Sequence, residues 1–271
     1  MDISIIVVSW NVSSLLADCL HTILSETTEV TYQITVVDNA STDGSADMIM
    51  RNFPEVNLIR NSENLGFARG NNLGIRALTS LPTYILLLNS DTLVSPGTLT
   101  TLVRFMDEHP QAAACSPRLI ASDGTPQAFA FGGDPTLGYL LSRGIKRLVL
   151  RQFMHDWGVH TAQLVDWVAG TCMLVRRTAM EKVGLLDENI FMYFEDNDWC
   201  LRFRKAGWKV YYVPSAEIVH LGGQSLKQNP RAQQAYYQSL RYFYRKHYGF
   251  LAQKLLEPLL WLYRMLNRPG L

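Results

Sequence analysis

Three acids fall within four positions in the stretch Phe191-Met192-Tyr193-Phe194-Glu195-Asp196-Asn197-Asp198-Trp199, flanked by four aromatic residues. At the start of a helix Glu195 and Asp198 share one side while Asp196 points elsewhere, so the three carboxyl groups cannot all do one job. An apolar surround raises a carboxyl pKa toward the value a general base needs, and Asp196 is assigned that task, with Glu195 beside it as the other candidate. Acid stabilisation of a helix N-terminus accounts for at least one of the three.

A second group, Asn89-Ser90-Asp91, follows the apolar run Tyr84 to Leu88. An Asp at the carboxyl end of a strand can hold Mg²⁺ or Mn²⁺ that also contacts phosphate oxygens, although an Asp so placed also serves as a helix or turn cap. Phosphate binding through bare amides is not expected. A dinucleotide fold needs a glycine-rich turn directly after its first strand, whereas the first glycine here is Gly44, and no Walker A pattern occurs. Acidic and polar strand ends point instead to a diphosphate bound through a divalent cation.

The elements that must position these groups alternate. Ile3 to Val8 reads as a strand and Asn11 to Ser25 as a helix; Tyr32 to Val37, Val56 to Ile59 and Tyr84 to Leu88 read as further strands, each followed by a helical pattern. Such alternation predicts an α/β fold with a mostly parallel sheet and helices on both faces, ligands binding at the carboxyl ends of the strands. After residue 110, Pro117, Gly124, Pro126, Gly132, Gly133 and Pro135 predict loops and antiparallel strands. Met192 to Lys205 reads as a helix, Trp208 to Val213 as a strand, and the tail from Asn229 as helical.

A chain of 271 residues with 48 % hydrophobic and 18 % charged residues is globular, and its formal charge of +1 supplies no global field for nucleic acid. Four scattered cysteines form no CxxC pair, which predicts reduced, buried thiols. The acidic start lacks the form of a signal peptide, and no window is apolar enough to span a bilayer, so a cytoplasmic protein is expected. The division expected is a main domain over residues 1–225 and a helical tail over 226–271. The tail holds eight Lys/Arg against one Glu, crowds its aromatics, and sets Leu251, Leu255, Leu259, Leu262 and Leu266 on one helix face. That pattern describes a helix lying on an anionic membrane surface, here the inner face of the plasma membrane. A helix pair packed on the main domain, or a homodimer interface, is the alternative. As a separate unit the tail is expected to be removable from residue 229 without unfolding the rest.

Several stretches, in order over about residues 1 to 225, resemble family-2 glycosyltransferases of the GT-A fold, in the rhamnosyltransferase-like branch. They are Ile5 to Asn11, Val36 to Ser45, Asn64 to Asn72, Leu86 to Asp91, and the Glu195-Asp196 box with Asp198 and Arg202. The resemblance implies that Val8, Ser9, Trp10, Asn11, Asp38 and Asn39 contact the base and ribose of a nucleotide sugar, with Asp38 accepting from a pyrimidine N3 hydrogen. It places a nucleotide-contacting role on Arg69. Asp91 matches the last Asp of the family's metal-binding DxD, and Asn89 stands where the first would be, with Ser90 between them. His220 resembles a late histidine that completes the metal site in some relatives, and Ala169-Gly170-Thr171 resembles the segment lining the sugar and acceptor pocket.

The function these readings imply is an inverting, metal-dependent glycosyltransferase, with dTDP-rhamnose the favoured donor and a lipid-linked or surface polysaccharide as acceptor. A nucleotidyltransferase for sugar phosphates, and a binding module that has lost catalysis, are the alternatives.

Overall fold

The computed structural model describes residues 1–222 and 232–266. The expected boundary at residues 225 and 226, and the tail's expected start at Asn229, lie outside the described residues. The β-branched run at the N-terminus forms β1 (Ile3–Ser9), which pairs in parallel with β2 (Tyr32–Asp38) on one side and β4 (Tyr84–Asn89) on the other; β3 (Asn57–Arg60) adds to β2. The intervening helices α1 (Ser13–Glu26), α2 (Ser45–Asn52) and α3 (Gly66–Arg76) supply the crossovers that parallel pairing requires. β1 and β4 are buried on both faces almost throughout, as their continuous apolar runs demand.

Beyond β4 the sheet becomes mixed. β10 (Cys172–Arg176) lies antiparallel between β4 and β6 (Ala112–Ile120); β11 (Lys209–His220) runs parallel to β6; and β5 (Thr92–Val94) closes the edge antiparallel to β11. The short β8 (Gln163–Leu164) also pairs with β11, while β7 (Phe131–Gly132) and β9 (Trp167–Val168) make a separate ribbon. The other described helices are α4 (Thr98–Glu108), α5 (Leu137–Ile145) running into a π-turn at Lys146–Leu150, α6 (Arg177–Val183), α7 (Glu195–Lys205), α8 (Ala232–His247) and α9 (Gly249–Leu266).

Two boundaries differ by three residues or more from the sequence-based expectation. β11 does not stop at Val213 but continues through Pro214 to His220, because its register against β6 shifts between Val213 and Glu217. A bulge there absorbs a proline that cannot donate to a regular ladder. α7 begins at Glu195 and not at Met192, because Tyr193 and Phe194 both take φ 67°. Left-handed backbone cannot continue a right-handed helix.

α3 lies against β1 through glycines one turn apart. A Cβ on Gly70 would sit 2.9 Å from Val8 Cγ1, and one on Gly74 2.6 Å from Ile6 Cγ2. Gly66, at φ +78°, opens the helix, and a Cβ there would lie 2.5 Å from the Phe191 carbonyl oxygen. Phe191 in turn accepts a hydrogen bond from the Phe67 amide at 2.9 Å, which holds the turn before α7 against the start of α3. Gly66→Ala therefore combines a left-handed backbone with a clash and costs at least about 2 kcal/mol. Thermal unfolding checks this, with an expected Tm loss of about 4–8 °C for a chain of this size.

The helical tail is docked on the main body. Phe243 and Tyr244 of α8 and Leu256 of α9 are fully buried in a second apolar cluster with Phe194 and Leu201. Arg241 of α8 joins Glu257 of α9 through two hydrogen bonds at 2.7 and 2.9 Å. All four cysteines are buried and unbridged.

Candidate active site

The carboxyl ends of β1, β2 and β4 align in one row, with Ser9 opposite Asp38 and Val8 opposite Asn89. Ser9 Oγ and Asp38 Oδ1 are buried without a hydrogen-bond partner. A buried polar atom left unpaired is costly, and here two such atoms fall on adjacent strand ends. The loops around them are over-determined. Asn11 (φ 54°) and Ala40 (φ 61°) are held left-handed while the Asn11 amide donates to Ser41 Oγ at 2.9 Å and the Thr42 amide donates to Asn11 Oδ1 at 2.7 Å. Strain of this kind persists where surrounding contacts fix the backbone. Asn39 is buried and donates to the Gly66 carbonyl, accepting in turn from Asn61 at 2.8 Å. Trp10 is half-buried beside this loop pair. Arg69 is exposed on α3 and donates through Nε to the Glu188 carbonyl at 3.1 Å.

At the neighbouring strand end the fold brings Asp91 and His220 together. β5 crosses to pair with the end of β11, so that His220 stands opposite Thr92, and the Leu221 amide donates to the Asp91 carbonyl. His220 Nε2 lies 3.3 Å from Asp91 Oδ1. Gln127, which the sequence reading did not single out, orients the imidazole. Its Nε2 donates to the His220 carbonyl at 2.6 Å, so its Oε1, 2.7 Å from His220 Nδ1, must accept from an Nδ1–H. That leaves Nε2 facing the carboxylate, an arrangement that a shared cation satisfies. Among the described residues no group of three or more His, Cys, Asp or Glu side chains is spaced to hold a metal ion, so these two donors would need a ligand's oxygens to complete a shell. Asn89 and Ser90 close the turn from below: the Thr92 hydroxyl donates to the Asn89 carbonyl at 2.7 Å, and Ser90 is buried.

The segment Ala169-Gly170-Thr171 joins this turn to the acidic box. The Thr171 carbonyl accepts from the Asn89 amide at 2.9 Å, and the Gly170 amide donates to Asp196 Oδ2 at 3.2 Å. Asp196 Oδ1 accepts from the Asn197 amide at 2.7 Å. Burial pushes the Asp196 carboxyl above its ordinary range, its backbone hydrogen bonds opposing this in part. Glu195 is pushed well above its ordinary range, by burial first and by the Asp196 charge second, and its Oε2 is unpartnered. Asp198 behaves in the opposite way. It is fully buried, bonded to Arg202 at 2.8 Å, Lys246 at 2.6 Å and His247 at 2.7 Å, and these partners outweigh burial to hold its carboxyl below the usual range. Asp198 therefore anchors α8 to α7, while Asp196 is the more exposed acid of the box.

The chain resembles known proteins over most of its length. The chain is 30 % identical over 238 residues, 82 % of its length and 76 % of the relative's, to an N-acetylglucosaminyl-diphospho-decaprenol L-rhamnosyltransferase of Mycobacterium tuberculosis. It is 29 % identical over 165 residues, 57 % of its length and 60 % of the relative's, to the rhamnosyltransferase WbbL of Escherichia coli. Among solved structures, GalNAc-T7 with UDP, GalNAc and Mn²⁺ superposes with a TM-score of 0.63 at 17 % identity, over 81 % of this chain and 44 % of that one. The mannosyltransferase PcManGT of Pyrobaculum calidifontis, with GDP-Man and Mn²⁺, superposes at 0.57 and 19 % identity, over 81 % of this chain and 56 % of that one. These two establish the GT-A-like fold. The family model described as "Glycosyltransferase like family 2" matches residues 1–239, and with the rhamnosyltransferase relatives it shows that this chain belongs to glycosyltransferase family 2.

Proposed function

We propose that the chain is an inverting rhamnosyltransferase that uses a pyrimidine nucleotide sugar, dTDP-rhamnose being favoured, and transfers the sugar to a hydroxyl of a lipid-linked or surface-polysaccharide acceptor. The observation that carries this reading is the pair of buried, unpartnered acceptors Asp38 Oδ1 and Ser9 Oγ at adjacent strand ends, which suits a base presenting an N3 hydrogen. The relatives named rhamnosyltransferases support the sugar, and the decaprenol in the name of one supports a lipid-linked acceptor.

Asp91 and His220 fit a divalent cation, Mg²⁺ or Mn²⁺, which when bound neutralises charge on the diphosphate. Asp196, kept basic by its raised pKa and aimed by the Gly170 amide, takes the proton of the acceptor hydroxyl. The oxygen forms its bond to the anomeric carbon as the carbon–phosphate-oxygen bond breaks on the opposite face, and the nucleoside diphosphate leaves with the electron pair. Configuration at that carbon inverts. The neutral acid favoured at Glu195 keeps a second negative charge away from the incoming oxygen. The exposed face of α9 gives the tail contact with an anionic membrane, where a lipid-borne acceptor would be met.

A panel of nucleotide sugars tests the reading through thermal stabilisation, since a ligand that binds the folded form raises Tm by mass action. dTDP-rhamnose with Mn²⁺ is expected to give the largest shift, and Asp38→Ala to lose it. Equal shifts from purine and pyrimidine donors would remove the assigned role of Asp38.

A further inference from the structure

α5 and its π-turn carry a surface that the sequence reading passed over. Leu141, Ile145 and Val149, spaced by four residues, are each at least half exposed, and Leu150 and Phe153 continue the patch at 53 % and 49 %. Four basic residues, Arg143, Lys146, Arg147 and Arg151, are interleaved with them, and no acidic residue occurs between Asp134 and Asp156. The segment is built to present this face: Leu137 and Leu140 pack inward on the second apolar cluster, leaving the outer side chains in water. Arg147 also sits over the Phe153 ring at 4.6 Å, so charge and apolar surface occur side by side.

The patch does not stand alone. α9 packs against α5 and exposes Phe250, Leu251, Leu255, Trp261, Leu262 and Met265. The one acid of α9, Glu257, is engaged by Arg241. Large apolar side chains among cations, with no free acid, match an anionic bilayer: the chains enter the headgroup boundary and the cations meet lipid phosphates. A protein partner or a second copy of this chain would have to supply acidic groups to answer the same cations.

We propose that residues 137–153 form a membrane-docking element for an anionic lipid surface, separate from the tail and adjoining α9. The proposal stands on the chemistry of this surface; the reading of a lipid-borne acceptor gives the docking its purpose.

The test uses the full chain and sedimentation with phosphatidylcholine vesicles, with and without phosphatidylglycerol. Wild type is expected to bind the anionic vesicles and to lose binding as salt rises. Ile145→Glu/Val149→Glu and, separately, Lys146→Gln/Arg147→Gln should each weaken that binding at least ~10-fold, since each cation near an anionic leaflet counts for about five-fold. Ile145, Arg147 and Val149 are exposed and Lys146 is half-buried, so thermal unfolding should change little. An environment-sensitive fluorophore attached through Val149→Cys should shift to the blue on anionic vesicles. The proposal is overturned if wild type ignores anionic lipid, if both double variants bind like wild type, if the fluorophore stays in water on bound protein, or if the glutamate variant only converts a lipid-free dimer to monomer. The vesicles contain neither donor nor acceptor, so failure here leaves the transfer reading intact, and a failed donor panel leaves docking intact.

Discussion

Asp196→Asn is expected to lower glycosyl transfer at least ~10²-fold while leaving donor affinity nearly unchanged, the scale for loss of a general base. The substitution keeps the size of the side chain, and its carbonyl oxygen can still accept from the Gly170 amide, so the pocket segment stays in place. Proton acceptance disappears, and the Asn197 amide loses Oδ1 as its acceptor. A pH–rate profile separates this from a structural effect. Because burial raises the Asp196 pKa, wild-type transfer should fall as pH drops through that raised value, the carboxylate taking up the proton that blocks it. The variant should lack that acidic limb. Glu195→Gln is the control, since a group already favouring its neutral form loses little by amidation. If Asp196→Asn turns over at the wild-type rate, Asp196 is not the base.

Asp91→Ala should have the next largest effect, reducing transfer by about 10²–10³-fold, the cost of losing stabilisation of developing charge. Its second readout is independent of turnover. With Asp91 and His220 as the proposed donors among the described residues, Mn²⁺ should bind weakly alone and much more tightly with a nucleoside diphosphate, as followed by loss of the free-ion resonance signal. Asp91→Ala should abolish the tight binding. Gln127→Leu, which frees the imidazole to turn, should weaken it by about 10–100-fold without touching either donor. A Gln127→Leu protein with wild-type Mn²⁺ affinity would show that His220 is aimed by something else, and an Asp91→Ala protein with full Mn²⁺-stimulated transfer would remove the assigned donor.

The strand ends were legible because their signals are local. The runs before Ser9, Asp38 and Asn89 are rich in apolar and β-branched residues, and parallel alternation forces those ends into one row. What escaped depends on partners far along the chain. Nothing near Pro214 shows that β11 continues, since the bulge that carries it to His220 is made against β6. Gln127 sits in a loop 93 residues from the histidine it orients, and no local pattern marks it. Sequence alone starts α7 three residues early, since nothing local marks the left-handed turn at Tyr193 and Phe194, which contact of Phe191 with Gly66 and Phe67 holds in place. In the tail, one aromatic, basic pattern covers two fates: Phe243 and Tyr244 are interior, Trp261 and Leu251 are not.

The three basic side chains gathered on Asp198 bear on how this enzyme can be handled at the bench. Two of them, Lys246 and His247, arrive from α8, and the same helix roofs Phe194 and Leu201. A gene ended before codon 232 would leave those apolar side chains bare and the carboxylate with Arg202 as its remaining named cation, two positions from the proposed base Asp196. The tail therefore belongs to the smallest unit worth expressing, and attempts to improve solubility belong on the outward side chains of α9 rather than in a shorter chain.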